Sequence, residues 1–146
     1  MPVYDFIEVG TSNFNTELEK ADDRSVGLSI EPVKFYLDDL PNRKNVTKVN
    51  VALSNYTGYI NIHYVSPKNI KRYGLPNWAR GCNAVDKHHP TIKRLIIKKG
   101  LHPDKIFVVK KVRVLQFKEL VKKYRITGIN FLKIDTEGHD ATILNN

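Results

Sequence analysis

Residues 130–140, NFLKIDTEGHD, set an apolar run directly against a cluster of acids. Residues 129–134 are almost continuously apolar, the pattern of a strand buried on both faces of a parallel sheet. Asp135, Glu137, His139 and Asp140 follow, with Gly138 among them to let the chain turn. In doubly wound sheets the ligand sits at the carboxyl ends of the strands, near the point where strand order reverses. This one stretch therefore predicts a fold class and a place for chemistry.

The rest of the chain supplies the partners that such a strand needs. Residues 3–9, VYDFIEV, predict a first strand that Gly10 ends. Asn15 or Thr16 caps a helix with Glu17 and Glu19 in its first turn, where the helix dipole favours acids. Residues 25–31 predict a second strand. Pro32 suits the first position of a helix whose Val33, Tyr36, Leu37 and Leu40 share one face. Residues 46–54, VTKVNVALS, predict a third strand. Ile60, Ile62 and Tyr64 alternate with polar residues, as on a half-exposed antiparallel strand. Residues 66–90 read as loop, with Pro67, Gly74, Pro76, Gly81 and Pro90. Thr91 caps a helix that Gly100 ends. Val112 and Val114 predict a short strand, and Phe117, Leu120, Val121 and Tyr124 one face of a last helix. The order βαβαβ, an insertion, then αβ predicts an α/β fold with a mostly parallel sheet. The 146 residues fit one domain, 1–146, with an insertion about 55–111.

Composition narrows the setting. No apolar run reaches the ~18 residues of a membrane span. The opening MPVYDFIEVG has no basic or long apolar region of the signal-peptide kind, and the single Cys82 forms no internal disulfide. Both predict a reducing, cytoplasmic setting. Charge is uneven. Residues 93–125 carry twelve Lys or Arg against two acids, a net +10, which leaves about −1 for the rest. Such a block fits an anionic partner, whether phosphate, nucleic acid, acidic glycan or membrane surface, and fits equally a solvated lysine-rich face. No interleaving of basic and aromatic residues marks a nucleic-acid site, so that partner is not favoured.

The predicted strand ends read Glu8-Val-Gly10, Ile30-Glu31-Pro32, Ala52-Leu53-Ser54 and Ile134-Asp135. Gly10 permits a tight turn and close approach of a ligand to the backbone. Glu31 follows 21 positions later, close to the spacing of an acid that accepts from both hydroxyls of a ribose. A pyrophosphate needs further glycines after the first. Gly10-Thr-Ser-Asn-Phe-Asn has one only, which disfavours a dinucleotide and with it a nicotinamide oxidoreductase. An adenosyl ligand without phosphates fits better, with Glu8 facing a cationic amino-acid end. Cys82, His88 and His89 lack an evident fourth ligand for zinc, so no metal is expected.

Three stretches carry a family resemblance. FIEVGTSNFNT, LSIEP and FLKIDTEGHD resemble the first cofactor loop, the ribose-binding strand end and the most recognisable motif of the FkbM family of S-adenosylmethionine-dependent methyltransferases. LPNWARGCNAVDKHHP is similar to a tryptophan-glycine-histidine loop of some members, and the resemblance runs from about Tyr4 to Leu144. It implies a Rossmann-like class I methyltransferase sheet, S-adenosyl-L-methionine as cofactor and O-methylation of a hydroxyl on a glycan or small molecule. It places the cofactor against Glu8, Gly10, Thr11, Ser12, Asn13, Glu31, Pro32, Ala52, Leu53 and Asp135. Asp135 and Glu137 would face the methyl group and acceptor, and His139 joins them as a catalytic candidate. Transfer from a sulfonium is mainly a matter of positioning, and the acceptor proton needs a base within reach. Asp135, Glu137, His139, His88 and His89 all qualify. A class I sheet continues beyond its fourth strand, whereas ATILNN allows a turn or two of helix. The expectation is a sheet lacking its last strands, in a chain that is a fragment of a longer gene product, the product of a truncated gene, or a half completed by a partner chain or a second copy. The alternative is a non-catalytic methyltransferase-like module that binds an anionic partner through residues 93–125.

Overall fold

The computed structural model describes residues 3–10 and 16–135. In chain order the elements begin with β1 (Val3–Tyr4), β2 (Phe6–Val9), α1 (Glu17–Lys20), β3 (Gly27–Ile30), α2 (Lys34–Asp38), β4 (Val46–Val49) and β5 (Ala52–Ser54). They continue with β6 (Gly58–Val65), α3 (Pro67–Arg72), a 3-10 turn (Asn77–Gly81), β7 (Ala84–Val85), α4 (Pro90–Lys98) and α5 (Pro103–Ile106). β8 (Phe107–Gln116), α6 (Phe117–Lys123), β9 (Gly128–Ile129) and β10 (Leu132–Ile134) complete them. The chain divides into two compact units, one of residues 1–59 with 112–146 and one of residues 60–111.

The first unit is a parallel sheet in the order β10-β2-β3-β4. Its first long strand lies inside, with β3 on one side and β10 on the other, so the strand order reverses between β2 and β10. One face is apolar. Ile7, Val9, Leu28, Ile30 and Val49 pack there with Leu53, Leu115 and Leu120 in one buried cluster. A smaller cluster, Leu18, Leu37 and Leu40, joins the two short helices. Thr16 caps α1 with a reciprocal bond, its hydroxyl accepting from Glu19 N at 3.1 Å while Glu19 Oε1 accepts from Thr16 N at 3.2 Å. Such a cap contributes about 1 kcal/mol.

Several elements depart from the sequence reading. The predicted strands at 3–9 and 129–134 are each broken, at Asp5 and at Asn130-Phe131, and the breaks face each other. β1 pairs with β9 and β2 with β10, and bonds from Asn130 N to Tyr4 O and from Ile7 N to Phe131 O, both 2.9 Å, carry the ladder across. The last strand is not buried on both faces. Among the described residues β10 is an edge, and Phe131 and Leu132 are 50% and 37% exposed. The third strand does not run to Ser54. It stops at Val49, because the Asn50 side chain donates to Glu31 O at 2.9 Å and Pro32 O at 3.0 Å. Ala52–Ser54 then pairs in parallel with residues 114–116 of β8. Helix α2 starts at Lys34, so Pro32 precedes it.

The second unit has its own core of Val65, Ile70, Leu75, Ala79, Cys82, Ile92, Ile96, Ile106 and Phe107. Residues 66–90 are more regular than a loop. Ser66 caps α3 by accepting from Asn69 N at 3.2 Å, with Pro67 in the first turn, where its missing N–H costs nothing. β6 pairs antiparallel with β7, and His89 rather than Thr91 stands at the N-cap position of α4, without a side-chain cap bond.

Candidate functional site

The parallel register sets the strand ends level. Ile134 lies opposite Val9, Val9 opposite Ile30 and Ile30 opposite Val49. The ladder runs one residue further, from Asp135 N to Val9 O at 2.9 Å, Gly10 N to Ile30 O at 2.9 Å and Glu31 N to Val49 O at 3.1 Å. Asp135, Gly10, Glu31 and Asn50 thus form one row along the carboxyl edge. Gly10 has φ 79°, a conformation that a side chain resists, so the turn after β2 depends on glycine.

Glu31 is 1% exposed. Its Oε2 accepts from Val33 N at 2.7 Å, which fixes the carboxylate where β3 gives way to α2. Asn50 holds the backbone on either side of the following peptide, through Glu31 O and Pro32 O.

Glu8, also 1% exposed, has partners within the chain. Its Oε2 accepts from Glu17 N at 2.8 Å and its Oε1 lies 3.4 Å from Lys133 Nζ. Burial pushes the Glu8 carboxyl above its usual range, against the downward pull of the Glu17 N–H and Lys133. The sheet register puts Lys133, Glu8, Ser29 and Lys48 in one row on a single face. The cation that the sequence assigned to an incoming ligand is thus also present as Lys133.

The remaining candidates divide by place. Asp135 is exposed at the sheet edge and Pro32 is partly buried. Ala52 and Leu53 are buried in β5 rather than at the end of the third strand. Thr11, Ser12, Asn13, Glu137 and His139 lie outside the described residues. Asn50 and Lys133 are participants that the sequence reading missed. A polar residue interrupting each apolar run was the available signal.

His88 and His89 belong to the second unit. There His88 Nε2 lies 2.8 Å from Asp104 Oδ1, His88 Nδ1 lies 2.9 Å from His63 Nδ1, and the His88 ring stacks on Phe107. With Asp104 ionised and His88 neutral, His88 donates from Nε2 and accepts at Nδ1, so His63 donates from Nδ1. The His88 bond holds the Asp104 carboxyl below its usual range. Burial, then repulsion from His88 when that ring is protonated, lowers His63 below its ordinary 6.5. A histidine lowered in the fold takes up its proton more readily unfolded, so stability is lost as pH falls from 6.5 through the folded value. The urea midpoint should drop across that window, and His63→Gln should flatten the drop. An unchanged slope in the variant would assign it to another group.

A mostly parallel sheet with a central glycine turn and an acid ending the next strand defines a Rossmann-like α/β domain. The chain belongs to the FkbM methyltransferase family, since a family model described as "Methyltransferase FkbM domain" matches residues 6–146. No curated protein and no solved structure was found to match it. Among the described residues no helix is long and apolar enough to cross a membrane, and no group of three or more His, Cys, Asp or Glu is placed to hold a metal ion.

Proposed function

We propose that this domain transfers the methyl group of S-adenosylmethionine to a hydroxyl on a glycan or small molecule. One observation carries the reading: Gly10, Glu31 and Asp135 stand level at the carboxyl edge, where the strand order reverses. Glu31 accepts from the ribose hydroxyls, and the Gly10 turn lets the ligand approach the backbone. Residues 11–13 and Pro32 contribute the rest of the cofactor contacts. Bound there, the cofactor supplies an electrophilic methyl on a sulfonium. The chain's task is orientation and removal of the acceptor proton, for which Asp135, Glu137 and His139 are the candidate bases. Glu8 braces the turn through Glu17 and Lys133.

The test is calorimetric titration of the folded chain with S-adenosylhomocysteine, with micromolar binding expected. A folded chain that leaves this ligand unbound at millimolar concentration sinks the reading. Binding without transfer to any hydroxyl acceptor would favour a non-catalytic module instead, a second reading motivated by the charge of the second unit.

A further inference from the structure

Residues 60–111 contain twelve Lys or Arg and two acids, a net +10, so the unit they form carries more than the whole chain's +9 and the first unit is left at −1. Asp104 is bound to His88, and Asp86 Oδ1 accepts from Asn61 N at 3.3 Å. Within this unit an open cleft of about 420 Å³ is lined by Pro67, Ile70, Lys71, Gly74, Leu75, Asn77 and Arg80. The lining holds two cations, one carboxamide and no acid, over an apolar floor of Ile70 and Leu75. Asn77 and Arg80 are three apart on a 3-10 turn, which aligns them on one side. The Lys71 side chain is exposed and makes no hydrogen bond or ion pair with the described residues, while Arg80 also interacts within the chain.

We infer that this cleft binds an acidic sugar, a carboxylated or sulfated ring within a glycan, and that Lys71 and Arg80 receive its anionic group. The ring's carbon face packs on Ile70, Leu75 and Pro67, and Asn77 meets its hydroxyls. Carboxylate and sulfate share this chemistry, whereas single-stranded nucleic acid needs a succession of aromatic platforms. Among the described Phe, Tyr and Trp residues of this unit only Trp78 is exposed. The inference rests on the proposed methyl transfer only in making this glycan the acceptor.

Titrations of the full chain separate the alternatives. The probes are a uronic-acid tetrasaccharide, its sulfated and its neutral counterparts, and a single-stranded oligonucleotide of equal charge. Binding of the uronate or the sulfated glycan is expected, weakening with salt and absent for the neutral sugar; the tighter of the two identifies the anionic group. Lys71→Gln should lose at least about tenfold in affinity, as expected for a charge-assisted hydrogen bond. Lys98→Gln, the same charge change on an exposed residue outside the cleft, should lose much less. Equal losses in the two variants would mean a diffuse field rather than a site and would overturn the inference, as would neutral-sugar binding or tighter oligonucleotide binding. S-adenosylhomocysteine titrated in parallel reports on the cofactor reading separately, so either can fail while the other stands.

Discussion

Glu31→Ala is expected to weaken S-adenosylhomocysteine binding by about ten- to hundredfold, as a carboxylate accepting from two ligand hydroxyls is worth about 1.5–3 kcal/mol. The substitution also removes the acceptor for Val33 N, so the start of α2 loses a bond. Thermal melts must accompany the titration to keep the two effects apart. Glu31→Gln is the sharper variant. It retains an acceptor for Val33 N but replaces one ligand-facing acceptor by a donor, so it should keep most of the stability and still lose at least about tenfold in affinity. Wild-type affinity in a folded Glu31→Gln chain would remove Glu31 from the site and leave the level strand ends without a ribose partner.

What could be read from sequence was what depends on neighbours in the chain. The apolar runs marked the strands of the parallel sheet, and Gly10 with Glu31 marked two of their ends, because a strand and the turn that ends it are local. The break at Asn50 was not legible. Its cause is a side-chain amide reaching back to Glu31 and Pro32, a contact that periodicity does not encode. Lys133 looked like an ordinary polar lapse in an apolar run until pairing of β10 with β2 set it beside Glu8. The charge block shows the same limit. A sequence window put the excess at residues 93–125, but the fold groups Lys118, Lys122 and Lys123 with the acid-rich first unit and brings Lys68, Lys71, Arg72 and Arg80 into the basic one. His63, His88 and Asp104 are far apart in the chain, and only tertiary packing shows their shared bonds.

Glu8 should prove the costliest single residue of the strand row to truncate. In Glu8→Ala the Glu17 N–H loses its acceptor and the Lys133 ammonium its partner. Removing one member of a buried pair costs about 3–5 kcal/mol. Lys133 keeps 28% of its side-chain surface exposed and can turn to water, so the lower end, about 3 kcal/mol, is expected. Glu8→Gln should behave differently. The amide oxygen still accepts from Glu17 N, and the buried charge is gone. Burial raises the Glu8 carboxyl above 4.5, so the fold holds that proton more tightly than the unfolded chain does. Stability from this group is therefore present below pH 4.5 and is lost as pH rises through the folded value. Glu8→Gln should erase that slope, and should match or exceed the wild type once the carboxyl is ionised. Urea denaturation across the pH range, run on all three proteins, reads both effects. An alanine variant as stable as the wild type would show that Glu8 does not brace the turn, and would return it to the role of meeting the cofactor's cationic end.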